Sequence, residues 1–341
     1  MMTTNSEYHV YTAQSRPDLW PDLNDESHPF CTIWANFLEG DLTDRFYFYK
    51  TRNYEELRRF QFFIVRQSPT EPETLVAFAQ SIPFFWPELE AIGGRTGLSS
   101  HPEVLQSLPD GGFDTILSRG VEQYLVRQGL PPLAAPFTDD QARDSTRKCN
   151  NRPNTLSALS VAVLPEWRSK GLAEIMLGCM KEAARETGLE ALVVPLRPTR
   201  KADFPTVDIA DYTSWTRGFG PTLGPVGPIL SGDGERVVNE KPCLPFDPWL
   251  RKHVFLGGKV VKVARKSMTV EGDMDQWAKW SGMDLQRVLG GLRDETALSP
   301  VTGYTLVEIC LPSGLVPLRF YPKQNRFEYT EPNVWVWHDL E

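Results

Sequence analysis

Residues 156–177 read Leu156-Ser-Ala-Leu-Ser-Val-Ala-Val-Leu-Pro165-Glu-Trp-Arg-Ser-Lys-Gly171-Leu-Ala-Glu-Ile-Met-Leu177. The run from Leu156 to Leu164 is apolar over the length of one buried strand, and Pro165 closes it. After Gly171 the apolar residues Leu172, Ile175, Met176, Cys179 and Ala183 recur on one face of a helix, and Gly188 supplies a left-handed stop. Ala191-Leu-Val-Val194 then reads as a second strand. Strand, tight loop, amphipathic helix and strand make a βαβ unit whose strands lie parallel. The loop Glu166-Trp-Arg-Ser-Lys-Gly171 ends at a helix N-terminus, where unpaired backbone N–H groups and the helix dipole converge. Arg168 and Lys170 add charge and Gly171 permits close backbone approach, so a phosphate or pyrophosphate is the expected ligand. A plain strand-to-helix turn with solvated charges is the alternative. Neither GxxxxGK[ST] nor GxGxxG is present, which removes the P-loop and dinucleotide-fingerprint readings.

On the N-terminal side, Tyr8–Ala13 reads as a strand, Ser15 as the cap of a helix, and a helical region runs through Trp34 and Phe37. Phe60–Val65 and Thr74–Ala79 flank a turn-forming stretch and predict a hairpin, and residues 113–128 carry helical spacing up to Gly129. Residues 130–154 read as a connecting loop. On the C-terminal side, 197–246 is an insertion with a short helix around Asp208–Arg217 and a glycine- and proline-rich loop. Asp247-Pro248 starts a helix that Gly257-Gly258 ends before a strand at 259–264. The tail carries Trp277 and Trp280 on a short helix, then aromatic and β-branched pieces. The domain reading is a core over 1–266, containing the 130–154 loop and the 197–246 insertion, with 267–341 as a β-rich extension packed on it.

The 341 residues hold 36 Lys+Arg against 44 Asp+Glu, a net charge of −8, so the electrostatic footprint of nucleic-acid binding is missing. The five cysteines form no CxxC pair and are odd in number, which suits reduced thiols rather than a disulfide framework. The five histidines show no HxxxH or carboxylate-paired spacing, so no metal is expected. No basic n-region with an apolar h-region opens the chain and no stretch reaches about 18 apolar residues. The expectation is a cytoplasmic protein without membrane partners.

Arg168-Ser169-Lys170-Gly171-Leu172-Ala173 matches [Q/R]-x-x-G-x-[G/A], and with its strand and helix it closely resembles motif A of the GNAT superfamily of N-acetyltransferases. The resemblance implies an α/β fold with a mixed, splayed sheet and a site for acetyl-CoA as co-substrate. Residues Arg168, Ser169, Lys170, Gly171, Leu172 and Ala173 would hold the pyrophosphate, and the backbone of Val161, Ala162 and Val163 would pair with the pantetheine arm. GNAT domains also commonly carry a Tyr four residues before the glycine of an LGF-like turn, where it protonates the departing thiolate. Leu256-Gly257-Gly258 is similar to that turn, and His253 stands in the place of the Tyr. An imidazole keeps acid–base chemistry possible there; a core histidine is the competing reading.

Tyr212 is a second candidate acid or substrate contact, against a packing role. Glu166 reads as a solvated turn residue rather than a base, and Glu331-Pro-Asn-Val-Trp335 as sheet core or the wall of an acceptor pocket. The expected reaction is direct acetyl transfer to an amine of a small molecule, by a monomer or homodimer. A silent acyl-CoA sensor, a longer acyl group or a hydroxyl acceptor are the alternatives.

Overall fold

In a computed structural model of the chain, residues 7–24, 28–133, 144–217, 244–291 and 306–341 are described. The strands are β1 (Tyr8–Thr12), β2 (Gln61–Arg66), β3 (Thr74–Phe84), β4 (Thr155–Val163), β5 (Ala191–Leu196), β6 (Gly258–Gly272), β7 (Val307–Ile309), β8 (Leu318–Tyr321) and β9 (Arg326–His338). They form one mixed sheet. β1 to β4 are an antiparallel meander, β4 and β5 are parallel, and β9 runs antiparallel to β5. β6 lines one edge of β9 over nearly its whole length, so β5 and β8 share the other edge.

Residue alternation on β9 sorts the core into two layers. Phe327, Tyr329, Trp335 and Trp337 pack with Ile116, Leu117 and Val121 of helix α1 (Gly112–Arg127). Val334 and Val336 face the opposite way, against Leu172, Met176 and Met180 of α2 (Leu172–Glu186) and Leu250 of α4 (Pro248–Phe255), with α3 (Ile209–Ser214) between α2 and α4 in the chain. A period of two on a strand buried on both sides gives this near-continuous apolar run. The tryptophan helix is α5 (Met274–Ser281), on the α1 side through Trp277.

The expected βαβ unit and α1 are present within a residue or two, and the hairpin is present with its second strand, β3, running five residues past Ala79 to Phe84. The helix expected after Ser15 is a 3-10 segment, Pro17–Asn24, because Pro17 and Pro21 withhold the N–H groups an α-helix needs. The glycine-rich loop of the insertion, residues 134–143 of the 130–154 loop and Cys243 lie outside the described residues. The boundary expected at 266/267 falls inside β6, and residues 326–338 are not an outer addition: they are the strand that joins β5 to β6. Pairing between segments so far apart in sequence leaves no local signature. Among the described residues no helix is long and apolar enough to cross a membrane.

A chain ending at Pro322 removes the strand that links β5 to β6. It is expected to show no cooperative thermal transition by circular dichroism, and a melt like that of the full chain would restore the reading of an appended extension.

Candidate functional site

β4 and β5 pair over only three residues, Thr155–Ser157 with Ala191–Val193. Beyond that point β4 continues to Val163 and β5 to Leu196 without pairing, so the sheet splits open toward both C-terminal ends. Two features of the sequence favour the parting. β5 carries Pro195, which has no N–H to give a ladder. β4 bulges between Ala158 and Ser160, where its register with β3 slips. The backbone of β4 from Leu159 onward therefore has β3 on one side and an open slot on the other.

The loop crowns the open end of β4. Pro165–Trp167 is a 3-10 turn, and Ser169 and Gly171 both take left-handed backbone conformations, at φ 63° and 79°. A non-glycine residue at positive φ is uncommon, and alternating it with ordinary residues turns successive N–H groups toward one concavity. No hydrogen bond engages the backbone N–H groups of residues 169–174 among the described residues, and α2 begins without a side-chain cap. Unmet donors and a helix dipole at one place favour a negative charge there. Arg168 Nε reaches back to the Val163 carbonyl at 3.2 Å, and Lys170 Nζ sits 4.2 Å over the Trp167 ring. Glu166 is exposed. Val161 and Val163 turn their side chains toward the α2 layer and Ala162 the other way, which leaves their backbone along the slot.

At the narrow end of the split, His338 on β9 lies opposite Leu192, one residue short of the parting. His253, on α4, places Nδ1 2.9 Å from His338 Nε2. Both rings are buried, and burial pushes His253 down to about 4, with the Lys181 charge adding to it. His338 is pushed down to about 3 by burial, then by His253 and Lys181. Both are neutral at pH 7, and among the described residues His253 Nε2 has no partner. His253 thus reaches β9, the strand next to β5, but not as an imidazolium.

Tyr212 is 1% exposed within a nest of Phe204, Trp215 and Phe246. Its hydroxyl donates to Asp247 Oδ2 at 2.9 Å, which also accepts the Arg200 N–H. Asp247 Oδ1 caps α4 by accepting from Trp249 and Leu250. Tyr212 therefore ties α4 to the chain leaving β5, and burial with the Asp247 charge raises its hydroxyl's pKa.

Glu331 is fully buried and paired with Arg197 at 2.7 Å, and Trp335 Nε1 donates to the Pro109 carbonyl. This part of the tail is sheet core. Next to it, past the last residue of β5, a cavity of about 1040 Å³ is lined by Thr43, Asp114, Thr269, Glu328, Thr330 and Pro332 among others. Burial, with the charge of Asp41, raises the Asp114 carboxyl well above its usual range. Among the described residues no His/Cys/Asp/Glu group is arranged to hold a metal.

No family model matches the sequence. The chain is 30% identical over 334 residues to the arginine N-acetyltransferase avaD of Aspergillus versicolor, covering 98% of this chain and 94% of the relative. Among solved structures, the loading GNATL domain of CurA from Lyngbya majuscula overlaps 98% of each chain at 13% identity and a TM-score of 0.41. A crystal structure of an acetyltransferase covers 55% of this chain and 79% of its own, at 15% identity and a TM-score of 0.24. Neither superposition is close enough to assign residues.

Two outcomes test this geometry. Gly171→Asp puts a carboxylate in the loop and an L residue at positive φ; calorimetry with CoA is expected to show affinity lower by roughly a hundredfold, equal to about 2.7 kcal/mol. Unchanged affinity would place the anion elsewhere. The histidine pair makes the fold acid-sensitive. Its folded pKa values lie below those of free histidine, so its stabilisation is complete above pH 6.5 and is lost as the pH falls from there toward 4. His253→Gln should flatten the decline of thermal stability between pH 7 and 4.5, by on the order of 3 kcal/mol. Parallel wild-type and variant curves would refute the assignment.

Proposed function

The chain belongs to the GNAT superfamily of N-acetyltransferases and is an acyl-CoA-dependent N-acetyltransferase, and on that footing we propose how this site performs the transfer. Acetyl-CoA is the co-substrate. The observation that carries the reading is the split itself: a strand with one free backbone edge, leading up to a helix start whose N–H groups are unmet. The diphosphate belongs on residues 168–173, and the pantetheine amides add to Val161, Ala162 and Val163 as a further strand would.

The acceptor is a small-molecule amine. The curated relative is named for arginine, and we take a cationic amino acid of that kind as the acceptor here. In a ternary complex the neutral amine nitrogen attacks the thioester carbonyl carbon. The C–N bond forms, the C–S bond breaks with its electron pair on sulfur, and the proton released by nitrogen balances the one sulfur gains. Free N–H groups of β4 past the bulge are the donors we assign to the carbonyl oxygen as its charge grows.

His253 is assigned to the departing sulfur. Neutral at pH 7, it is assigned as an N–H donor through Nε2, with Nδ1 accepting from His338 Nε2, rather than as an imidazolium acid. Tyr212 is assigned a positioning role, because its proton is committed to Asp247.

Thiol release with L-arginine as acceptor tests the whole. His253→Ala is expected to lower kcat at least tenfold with KM for acetyl-CoA within about threefold, a one-donor effect of about 1.4 kcal/mol or more. His253→Gln, which keeps a polar contact with His338, should restore thermal stability without restoring kcat. Turnover unchanged in both variants would leave His253 a purely structural residue.

A further inference from the structure

On the face of the sheet opposite α2, a row of polar side chains divides the apolar surface. Gln61 stands opposite Gln80, and Gln80 opposite Ser160, so all three project from the same side. The β4 bulge makes this possible: it leaves Leu159 unpaired and turns Ser160 away from α2, while Val161 returns to the α2 side. Apolar neighbours on this face fall into one cluster around Phe63, Phe78 and Ala162 and another around Ile82, Phe84 and Trp335. On β3 the order Phe78, Gln80, Ile82 puts the polar row at the seam between them.

Ser160 lies within the stretch of β4 that β5 has left, and it is half-buried. Its Oγ is 3.2 Å from Gln80 Oε1, to which it donates. The hydroxyl proton is thereby committed, and the lone pairs of Oγ are what Ser160 offers the slot. Gln80 is 1% exposed, and among the described residues its Nε2 has no partner, nor has Oε1 of the fully buried Gln61. An unmet buried amide group is destabilising, so the free donor of Gln80, next to Ser160 at the opening, fits a network that a ligand closes.

We propose that Ser160 and Gln80 seat the acceptor amine. The amine enters from the face opposite α2, and Ser160 Oγ accepts a hydrogen bond from its N–H. Gln80 is a positioning residue: by holding the hydroxyl proton it makes Ser160 an acceptor. This rests on the acyltransferase reading, because it presumes that the thioester fills the slot from the α2 side.

Two measurements separate the two ideas. The first is thiol release with acetyl-CoA and L-arginine, and the second is calorimetric binding of L-arginine to the protein saturated with unacylated CoA, where no reaction occurs. Ser160→Ala is expected to weaken arginine about tenfold in both assays, with CoA affinity within twofold and an unchanged melting temperature. Gln80→Leu should reproduce that loss, and the double variant should lose no more than either alone, since the two act through one hydroxyl. Gln80→Glu keeps an oxygen for the hydroxyl and should retain arginine binding. If Ser160→Ala keeps wild-type arginine affinity while thiol release proceeds, this inference is overturned and the acyltransferase reading stands. If the wild type releases no thiol, that reading fails, and the seat is then judged by binding alone. Arginine that does not bind the CoA complex overturns the seat as well.

Discussion

The parting of β4 from β5 after three paired residues is the constraint on which the rest of the molecule turns. A sheet that opens in its middle loses ladder hydrogen bonds there, and it stays ordered only if each half is held by something else. β4 is held by β3 on its closed side and by α2 across its face. β5 is held by β9, which pairs with it from Leu192 to Leu196 while contacting β6 along its other edge. The slot is stable because both of its walls are clamped from behind. Its free backbone edge then becomes available to a ligand instead of to the neighbouring strand.

Buried polar groups do the remaining positioning. Asp247 accepts four hydrogen bonds, from two α4 amides, the Arg200 amide and the Tyr212 hydroxyl. One carboxylate thus joins the start of α4 to the segment leaving β5. At the other end of the helix the contact between His253 and His338 joins α4 to β9. A helix of eight residues has little stability alone, and these two attachments fix where its side chains stand relative to the split.

Legibility followed sequence distance. The unit from Leu156 to Val194 could be read because each of its signals is local: an apolar run, a proline, a glycine and a helical stripe, all confirmed as β4, α2 and β5. The loop at residues 168–173, proposed to hold the diphosphate, is part of the same local unit. His253 could be picked out but not understood, because its partner His338 is 85 residues away in a tail whose pieces looked peripheral. Tyr212 was visible as an acid candidate, while the carboxylate that occupies its proton is 35 residues on. Ser160 was missed, although a signal existed. Ser157 and Ser160 are an odd number of residues apart inside one apolar strand, a spacing that keeps both off the α2 face only if the strand bulges between them.

The position of β9 has a consequence for how the protein is made. Chains emerge from the ribosome N-terminus first, and domains tend to fold as their residues become available. Here the hairpin, β4, α2 and β5 can form early, since their contacts are close in sequence. The outer wall of the slot cannot be clamped until residues 334–338 have emerged, more than 130 residues after β5. Until then β5 presents an apolar edge with no partner, the kind of edge that invites association with other chains. Closing that edge is a step of high contact order, so it should be slow compared with helix and hairpin formation. The slot proposed to take the thioester is therefore a late product of folding, and a nascent chain carries the motif well before it carries that slot.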